Sequence, residues 1–110
     1  MDIIEQYYAA FNRADYEGML ALLTEDVLHE PSQGKPRHGK ETFREFLKHM
    51  EKCYKEQVIN PVVFYNKNRA AAEFDLTGEY LRDDEGLPPA KGQKYKLRVG
   101  AFFEIKDGQI

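Results

Sequence analysis

Residues 40–81 read KETFREFLKHMEKCYKEQVINPVVFYNKNRAAAEFDLTGEYL, and their hydrophobic period changes partway along. In the first half, apolar side chains recur every three or four residues. This spacing predicts one long amphipathic helix whose buried stripe is Phe43, Phe46, Leu47, Met50, Cys53, Tyr54 and Val58. After Asn60-Pro61 the period becomes two, which predicts strands at 62–65 and 69–81 joined by a turn at 66–68.

The second of these strands divides its side chains between two faces. One face carries Phe74, Leu76, Gly78 and Tyr80, and the other carries Glu73, Asp75, Thr77 and Glu79. Such alternation is typical of a curved sheet that covers an apolar interior. If the strand at 94–105 is its neighbour, the acidic face pairs with Lys94, Lys96 and Arg98.

The segment before residue 40 predicts two helices and a short strand. Apolar residues at helical spacing indicate a first helix over the first dozen residues, and Asp15 is suited to cap a second, short one. Residues 27–30 follow as a short strand. The proline- and glycine-rich residues 31–39 are predicted to form a loop.

The segment after residue 81 predicts a polar loop at 82–93, a strand at 94–105 and a type I′ hairpin turn at Asp107-Gly108. Gln109-Ile110 would then begin another strand, so the domain is expected to lack its final strand. Because the helices precede most strands, the pattern favours an α+β fold over a parallel βαβ sheet. Residues 1–110 are expected to form a single domain.

Composition narrows the functional classes. The 42% apolar content is enough for a core, and a net charge of −3 without a basic stripe argues against nucleic acid as a partner. No apolar run is long enough to span a bilayer, so a soluble, cytoplasmic protein without a membrane partner is expected. Cys53 is the only cysteine, and no histidine pair has helical i, i+4 spacing. We therefore expect neither a metal nor a cofactor.

Several segments resemble ketosteroid isomerases. They are YYAAFN at 7–12, DYEGMLALL at 15–23, His29-Glu30-Pro31 and Pro36-Arg37-His38-Gly39, and the similarity continues through 68–80. GLPPAKG at 86–92 looks like the proline-rich insertion of SnoaL-type polyketide cyclases. Over nearly its whole length the chain is similar to the ketosteroid isomerase-related and SnoaL-like members of the NTF2-like superfamily.

This resemblance implies a fold and an assembly. The fold is a conical half-barrel of the NTF2-like or cystatin-like kind. A strongly curved, mostly antiparallel sheet wraps around a long helix, after two N-terminal helices, and encloses a ligand cavity. The resemblance also implies a homodimer and a small apolar molecule as partner.

The resemblance further assigns candidate site residues. Glu30 matches the carboxylate that serves as general base, and Tyr7 matches the hydroxyl that stabilises the developing oxyanion. The expected ligand-binding positions are Phe74, Leu76, Gly78, Tyr80 and Ala101. Gly78 replaces a bulky residue, so a larger pocket is expected. Ala101 stands where the isomerases place a protonated Asp, which argues against true steroid isomerisation.

Three functions remain open at this point. The first is an enzyme that performs acid–base chemistry, as isomerisation or cyclisation, on an apolar carbonyl compound. The second is a water-activating enzyme such as an epoxide hydrolase, for which only Asp75 and Arg98 are candidates, and strand alternation directs both away from the interior. The third is a non-catalytic small-ligand-binding or dimerisation module. His29 is expected to be structural or exposed, on the opposite side from Glu30, and Cys53 an inert core residue.

Overall fold

Helices come first along the chain and a long antiparallel sheet follows. The computed structural model describes residues 2–32 and 34–110; Met1 and Gln33, the latter within the expected loop at 31–39, lie outside the described residues. The elements are α1 Ile3–Asn12, α2 Tyr16–Leu20, β1 Leu28–His29, β2 Arg37–His38, α3 Lys40–Cys53, β3 Tyr54–Asn66, β4 Arg69–Tyr80 and β5 Gln93–Glu104. This order confirms the predicted α+β class.

Side-chain caps begin the first two helices. The Asp2 carboxylate accepts a hydrogen bond from the Glu5 backbone N–H at 2.9 Å and so caps α1. Asp15 does the same for α2, accepting from the Gly18 N–H at 2.9 Å. Each carboxylate satisfies a backbone donor that the first helical turn leaves unpaired. The predicted cap at Asp15 is confirmed.

The third helix is shorter than the sequence predicts. It ends at Cys53, and Tyr54 already has extended backbone angles and begins β3 with no loop between them. The prediction of a helix reaching Val58 is therefore wrong. Residues 54–59 instead pair with β4, from Tyr54 opposite Tyr80 onward, and β-branched residues such as Val58 and Ile59 favour that pairing.

The expected break at Asn60-Pro61 is a bulge within one continuous strand. The register of β3 against β4 shifts between Ile59 and Val62, and Asn60 has a positive φ of 51°. A bulge bends a strand and increases its local twist without ending it. The strand predicted at 62–65 is thus the second half of β3.

The long sheet has the order β3-β4-β5, with both pairs antiparallel. A second, two-stranded sheet pairs Leu28 with His38 and His29 with Arg37. The expectation of a loop throughout 31–39 therefore needs correction, because Arg37–His38 forms β2 against β1. Short strands of this kind carry too few residues to show a period in the sequence.

The chain turns back after β5 at the predicted place. Asp107 and Gly108 have positive φ angles of 50° and 77°, and Lys106 pairs with Gln109, as a type I′ hairpin requires. Ile110 then exchanges backbone hydrogen bonds of 2.9 Å with Leu22 and Thr24. Residues 106–110 are thereby fastened beside the segment that follows α2.

Two groups of buried side chains form the core, and α1 contributes to both. One lies between α1 and the sheet and contains Ile4, Tyr8, Val58, Ala70, Ala72 and Phe74. The other lies among the helices and contains Ala10, Met19, Leu20, Leu23, Phe43 and Leu47. Burying each large apolar side chain contributes roughly 1.5–3 kcal/mol, so these groups set the position of the helices on the sheet.

The outer face of β4 carries the predicted charges. Arg98 of β5 lies 3.3 Å from Asp75 and 3.4 Å from Glu73, and Lys96 lies 3.8 Å from Asp75. The pairing of acidic and basic strands is therefore confirmed. None of the helices in residues 2–32 and 34–110 has the length and apolar character needed to cross a bilayer.

Candidate functional site

A cleft of about 380 Å³ opens between β1 and the end of β5. Its apolar wall includes Val27, Phe103 and Ile110, and its polar side chains include Glu30 and Arg69. The hydrogen bonds of Ile110 to the segment after α2 place this residue in the wall. The cleft therefore combines the Glu30 carboxylate with an apolar surface, and its other charged residues are Asp26, Arg69, Glu104 and Lys106.

Phe103 connects the cleft with Tyr7. The ring centroids of these two residues are 6.2 Å apart with an interplanar angle of 73°, an edge-to-face contact. Tyr8 lies edge-to-face against the same ring at 6.2 Å. Tyr7 itself does not line the cleft, so the two predicted catalytic residues share one neighbouring ring but not one surface.

The Tyr7 hydroxyl is held in its neutral form. Burial raises the pKa of Tyr7 far above the ordinary value, and the nearby Tyr8 adds to the shift. Desolvation penalises the phenolate, because an apolar surrounding cannot replace the water that solvates its charge. The protonated hydroxyl is the form that donates a hydrogen bond, as the predicted role requires.

His29, and not Glu30, is the half-buried residue of the pair. The His29 ring lies 5.0 Å from Phe43 and 4.9 Å from Phe46, whereas Glu30 is exposed at the cleft. Within the part of the chain that the structure describes, the His29 Nδ1 atom is buried without a hydrogen-bond partner. Desolvation, reinforced by the charge of Arg37, lowers the pKa of His29. Packing on α3 agrees with the structural role expected for His29.

The predicted ligand-binding residues are spread along the sheet. Phe74 is buried with its ring 4.8 Å from that of Tyr8, and Leu76 packs against the same group of side chains. Ala101 is half buried and pairs with Ala72 across β4 and β5. None of these residues lines the cleft that holds Glu30.

Tyr80 lies at the far end of β4, where its hydroxyl organises a loop. It donates to the Pro88 carbonyl at 2.7 Å and accepts from the Asp84 N–H at 2.9 Å. Tyr80 lies six positions after Phe74 along β4, about 20 Å at the usual rise. The hydroxyl thus serves the loop at 81–92, and Tyr80 does not line the cleft that holds Glu30.

Gly78 does not line the cleft that holds Glu30; it lines a separate, open groove of about 520 Å³ together with Lys55, Thr77 and Tyr95. The ring of Tyr95 fills the space beside it, so closely that a Cβ at Gly78 would lie 2.3 Å from the Tyr95 Cζ. The Tyr95 hydroxyl then donates to the Glu56 carboxylate at 2.5 Å. The Tyr95 side chain thus occupies the space that a side chain at position 78 would take.

Glu56 is a residue that the sequence reasoning missed. It lies half buried on the inner side of β3, and desolvation raises its pKa while the bond from Tyr95 partly opposes the shift. Assigning residue 56 to a helix hid its alternation with Tyr54 and Val58. A strand period over 54–58 was the available signal.

Two other groups of polar residues lie away from the cleft. Asp75 and Arg98 form an ion pair on the outer face of the sheet, which agrees with the predicted direction of both side chains. His49, Cys53 and Asp84 are the one cluster suited to a metal within residues 2–32 and 34–110, and they lie at the C-terminal end of α3.

Comparison with known proteins identifies the family. The sequence profile of the SnoaL-like domain matches residues 4–110. The crystal structure of a candidate polyketide cyclase from Pseudomonas putida has a TM-score of 0.96 at 48% identity, covering 99% of this chain and 86% of that one. A second candidate polyketide cyclase, from Silicibacter sp., has a TM-score of 0.94 at 49% identity, covering 97% and 80%.

A more distant structure shows how far the fold extends. An NTF2-like protein of unknown function from Burkholderia pseudomallei has a TM-score of 0.81 at 19% identity, covering 97% of this chain and 79% of that one. At that identity the likeness concerns the fold alone. The profile match and the two relatives at 48% and 49% identity lead to one conclusion: the chain belongs to the SnoaL-like family.

Proposed function

We propose that this protein is a small-molecule enzyme that performs acid–base chemistry on an apolar carbonyl compound. The observation that carries the proposal is the arrangement around Phe103, which lines the cleft holding Glu30 and contacts the ring of Tyr7. A substrate lying against this ring would share the cleft with the Glu30 carboxylate, and the ring of Tyr7 would lie behind Phe103.

The chemistry follows from these two groups. The Glu30 carboxylate removes a proton from the carbon next to the substrate carbonyl, the electron pair of the broken C–H bond forms a carbon–carbon double bond, and the π pair of the carbonyl moves onto its oxygen. Tyr7 does not line the cleft, so its hydroxyl donates a hydrogen bond to the resulting enolate oxygen only when Phe103 moves aside. Returning the proton to another carbon gives an isomer, whereas attack of the enolate carbon on a second carbonyl of the same molecule closes a ring.

The lining of the cleft supports this substrate class. Val27, Phe103 and Ile110 offer apolar surface, and Arg69 offers a cation that an enolate or acidic phenol would favour. The volume of about 380 Å³ lies within the usual range for small-molecule sites. Polyketides carry several carbonyl groups, so the relatives described as candidate polyketide cyclases agree with this choice.

The experiment is exchange of substrate α-hydrogens in deuterated water, followed by NMR. A panel of cyclic ketones and β-dicarbonyl compounds would be incubated with the protein and with Glu30→Gln and Tyr7→Phe. We expect Glu30→Gln to reduce the exchange rate by roughly 10²- to 10⁴-fold, and Tyr7→Phe by roughly 10²-fold or more. Glu25→Gln is the matched control, because Glu25 is exposed, pairs with Lys40 and does not line the cleft.

Two outcomes would count against the proposal. If Glu30→Gln exchanges hydrogens as fast as the unchanged protein, Glu30 is not the base. If the compounds bind saturably but no exchange occurs, the non-catalytic ligand-binding role replaces the enzymatic one.

A further inference from the structure

Three side chains with different ligand atoms converge at the C-terminal end of α3. The His49 Nε2 lies 2.8 Å from the Asp84 Oδ1 and 3.9 Å from the Cys53 Sγ. All three atoms lie within 4.8 Å of one another. His49 and Cys53 are four residues apart on the helix, so both side chains emerge on the same face.

The hairpin of β3 and β4 supplies the third side chain. Tyr54 opens β3 directly after Cys53, and it pairs with Tyr80 at the end of β4. The chain therefore returns to the end of α3, and Asp84 follows four residues later. The Asp84 N–H donates to the Tyr80 hydroxyl at 2.9 Å, which fixes the loop at this point.

Tyr54 orients the carboxylate of Asp84. Its hydroxyl donates to the Oδ2 atom at 2.5 Å, so Oδ1 is the oxygen that faces His49. Outer hydrogen bonds of this kind orient the side chains that hold a metal ion and are as much a part of the site as the ligands. The cluster thus offers three possible metal ligands, and the Tyr54 hydroxyl holds one of them, the Asp84 carboxylate, in place.

The geometry argues against two other interpretations of the cluster. A nucleophilic Cys-His-Asp triad needs the two different nitrogens of the imidazole to face the thiol and the carboxylate. Here the same Nε2 faces both. A simple ion pair of His49 and Asp84 accounts for the shorter contact only, and the Cys53 thiol, 2% exposed, lies 3.9 Å from both the His49 Nε2 and the Asp83 carbonyl.

We propose that His49, Cys53 and Asp84 bind one zinc-like divalent cation through Nε2, Sγ and Oδ1. With Zn–S bonds of about 2.3 Å and Zn–N and Zn–O bonds of about 2.1 Å, tetrahedral ligand atoms stand roughly 3.3–3.6 Å apart. The distances of 2.8 Å and 3.9 Å lie on either side of that range and the Sγ–Oδ1 pair lies within 4.8 Å, so ligation requires these side chains to move by roughly 1 Å. Water takes the fourth position.

The donor types select the ion. Sulfur and imidazole nitrogen favour zinc and its first-row neighbours over calcium and magnesium, which prefer oxygen. Binding forms the metal–sulfur bond as the Cys53 S–H bond breaks, and the proton leaves to solvent. The His49 side chain is 51% exposed, which gives the ion a path from solvent to the buried sulfur.

Cobalt(II) is the probe that tests the proposal, with the full chain titrated under reducing conditions. We expect one ion per chain, a near-ultraviolet sulfur-to-cobalt charge-transfer band and visible bands of tetrahedral cobalt, all displaced by zinc. Because Cys53 is the only cysteine, the charge-transfer band reports this site alone. Cys53→Ser should abolish that band, and His49→Gln and Asp84→Asn should each weaken binding by at least about 10-fold.

A second set of variants separates ligation from folding. Tyr54→Phe keeps all three ligands and removes only the bond to Oδ2, and we expect it to weaken binding by roughly 10- to 100-fold. Glu51→Gln, which removes an exposed charge from the same helix, should change affinity little, and circular dichroism would show that each variant folds. Cobalt that binds without the charge-transfer band, or equally well to His49→Gln, would overturn the proposal. So would the absence of one-to-one binding at micromolar concentrations.

Discussion

The ring of Tyr95 occupies the space that a side chain at Gly78 would need, with the ideal Cβ position 2.3 Å from Cζ and 2.4 Å from the hydroxyl oxygen. The two residues are direct partners across β4 and β5. The ring cannot move aside freely, because its hydroxyl donates to Glu56 at 2.5 Å. Glycine and tyrosine therefore fit here only as a pair.

Gly78→Ala should destabilise the protein by about 1–3 kcal/mol, because a methyl group forces the Tyr95 ring out of its position. Urea denaturation measures the free energy of unfolding. Gly100→Ala in β5 is the matched control, since no atom lies within 4 Å of its Cβ position, and it should change stability by less than about 1 kcal/mol. Adding Tyr95→Ala to Gly78→Ala should remove the clash and make the two effects non-additive. Equal stability of the two alanine variants would contradict the close fit.

Asn12→Ala should cost about 2–4 kcal/mol, because it leaves two polar groups of the buried Val58 unpaired. The Asn12 side chain donates to the Val58 carbonyl at 2.9 Å and accepts from the Val58 N–H at 2.7 Å, which ties α1 to β3. Asn66→Ala, at an exposed position, should change stability by no more than about 0.5 kcal/mol. Thermal unfolding of both variants tests this, and a small effect at Asn12 would contradict it.

Stability should fall as the pH drops below the ordinary histidine pKa of 6.5, because the folded state lowers the pKa of His29. A lowered pKa means that protonation is less favourable in the folded chain. The contribution of His29 to the free energy of unfolding is therefore fully present above pH 6.5 and is lost as the pH falls through the pKa of the folded state. His29→Leu should flatten this part of the profile and remove the unpaired Nδ1. His38→Gln, at an exposed position, should leave the profile unchanged. An unaltered slope in His29→Leu would assign the pH dependence to other groups.

Glu56 should have the opposite effect on the pH profile. Desolvation raises the pKa of Glu56. Its contribution to the free energy of unfolding is therefore fully present below pH 4.5 and is lost as the pH rises through the pKa of the folded state. Glu56→Gln should therefore be more stable than the unchanged protein at pH 7, by less than about 1 kcal/mol because partial exposure screens the charge. Glu45→Gln, exposed on α3, serves as the control for the loss of one negative charge. A Glu56→Gln variant that is less stable at pH 7 would show that the ionised carboxylate is favoured.

Local signals predicted most of the fold. The cap at Asp15, the hairpin at Asp107-Gly108 and the two faces of β4 each depend on residues close in sequence. The end of α3 could not be found in this way. Tyr54 and Val58 are four residues apart, and four is both two strand periods and about one helical turn. Only the pairing with β4, a contact distant in sequence, decides between the two.

The candidate site was predicted less completely, because it depends on which strands meet. Glu30 lies in a cleft that Phe103 and Ile110 also line, and Tyr7 contacts the Phe103 ring from outside that cleft. Whether Glu30 and Tyr7 act in catalysis stays a prediction. The absence of a metal was expected from the single cysteine and from the lack of a histidine pair at i, i+4 spacing, but His49 and Cys53 together have that spacing and Asp84 reaches them only through the hairpin.

The direct junction of α3 with β3 leaves no hinge between helix and sheet. The Cys53 carbonyl accepts hydrogen bonds from the Leu81 and Arg82 N–H groups, at 2.7 Å and 3.3 Å, so the two residues that follow β4 also hold the junction. A helix joined by a loop can tilt while the sheet stays still. Here the end of α3 and the start of β3 move together, so a tilt of α3 that displaces His49 also displaces Glu56.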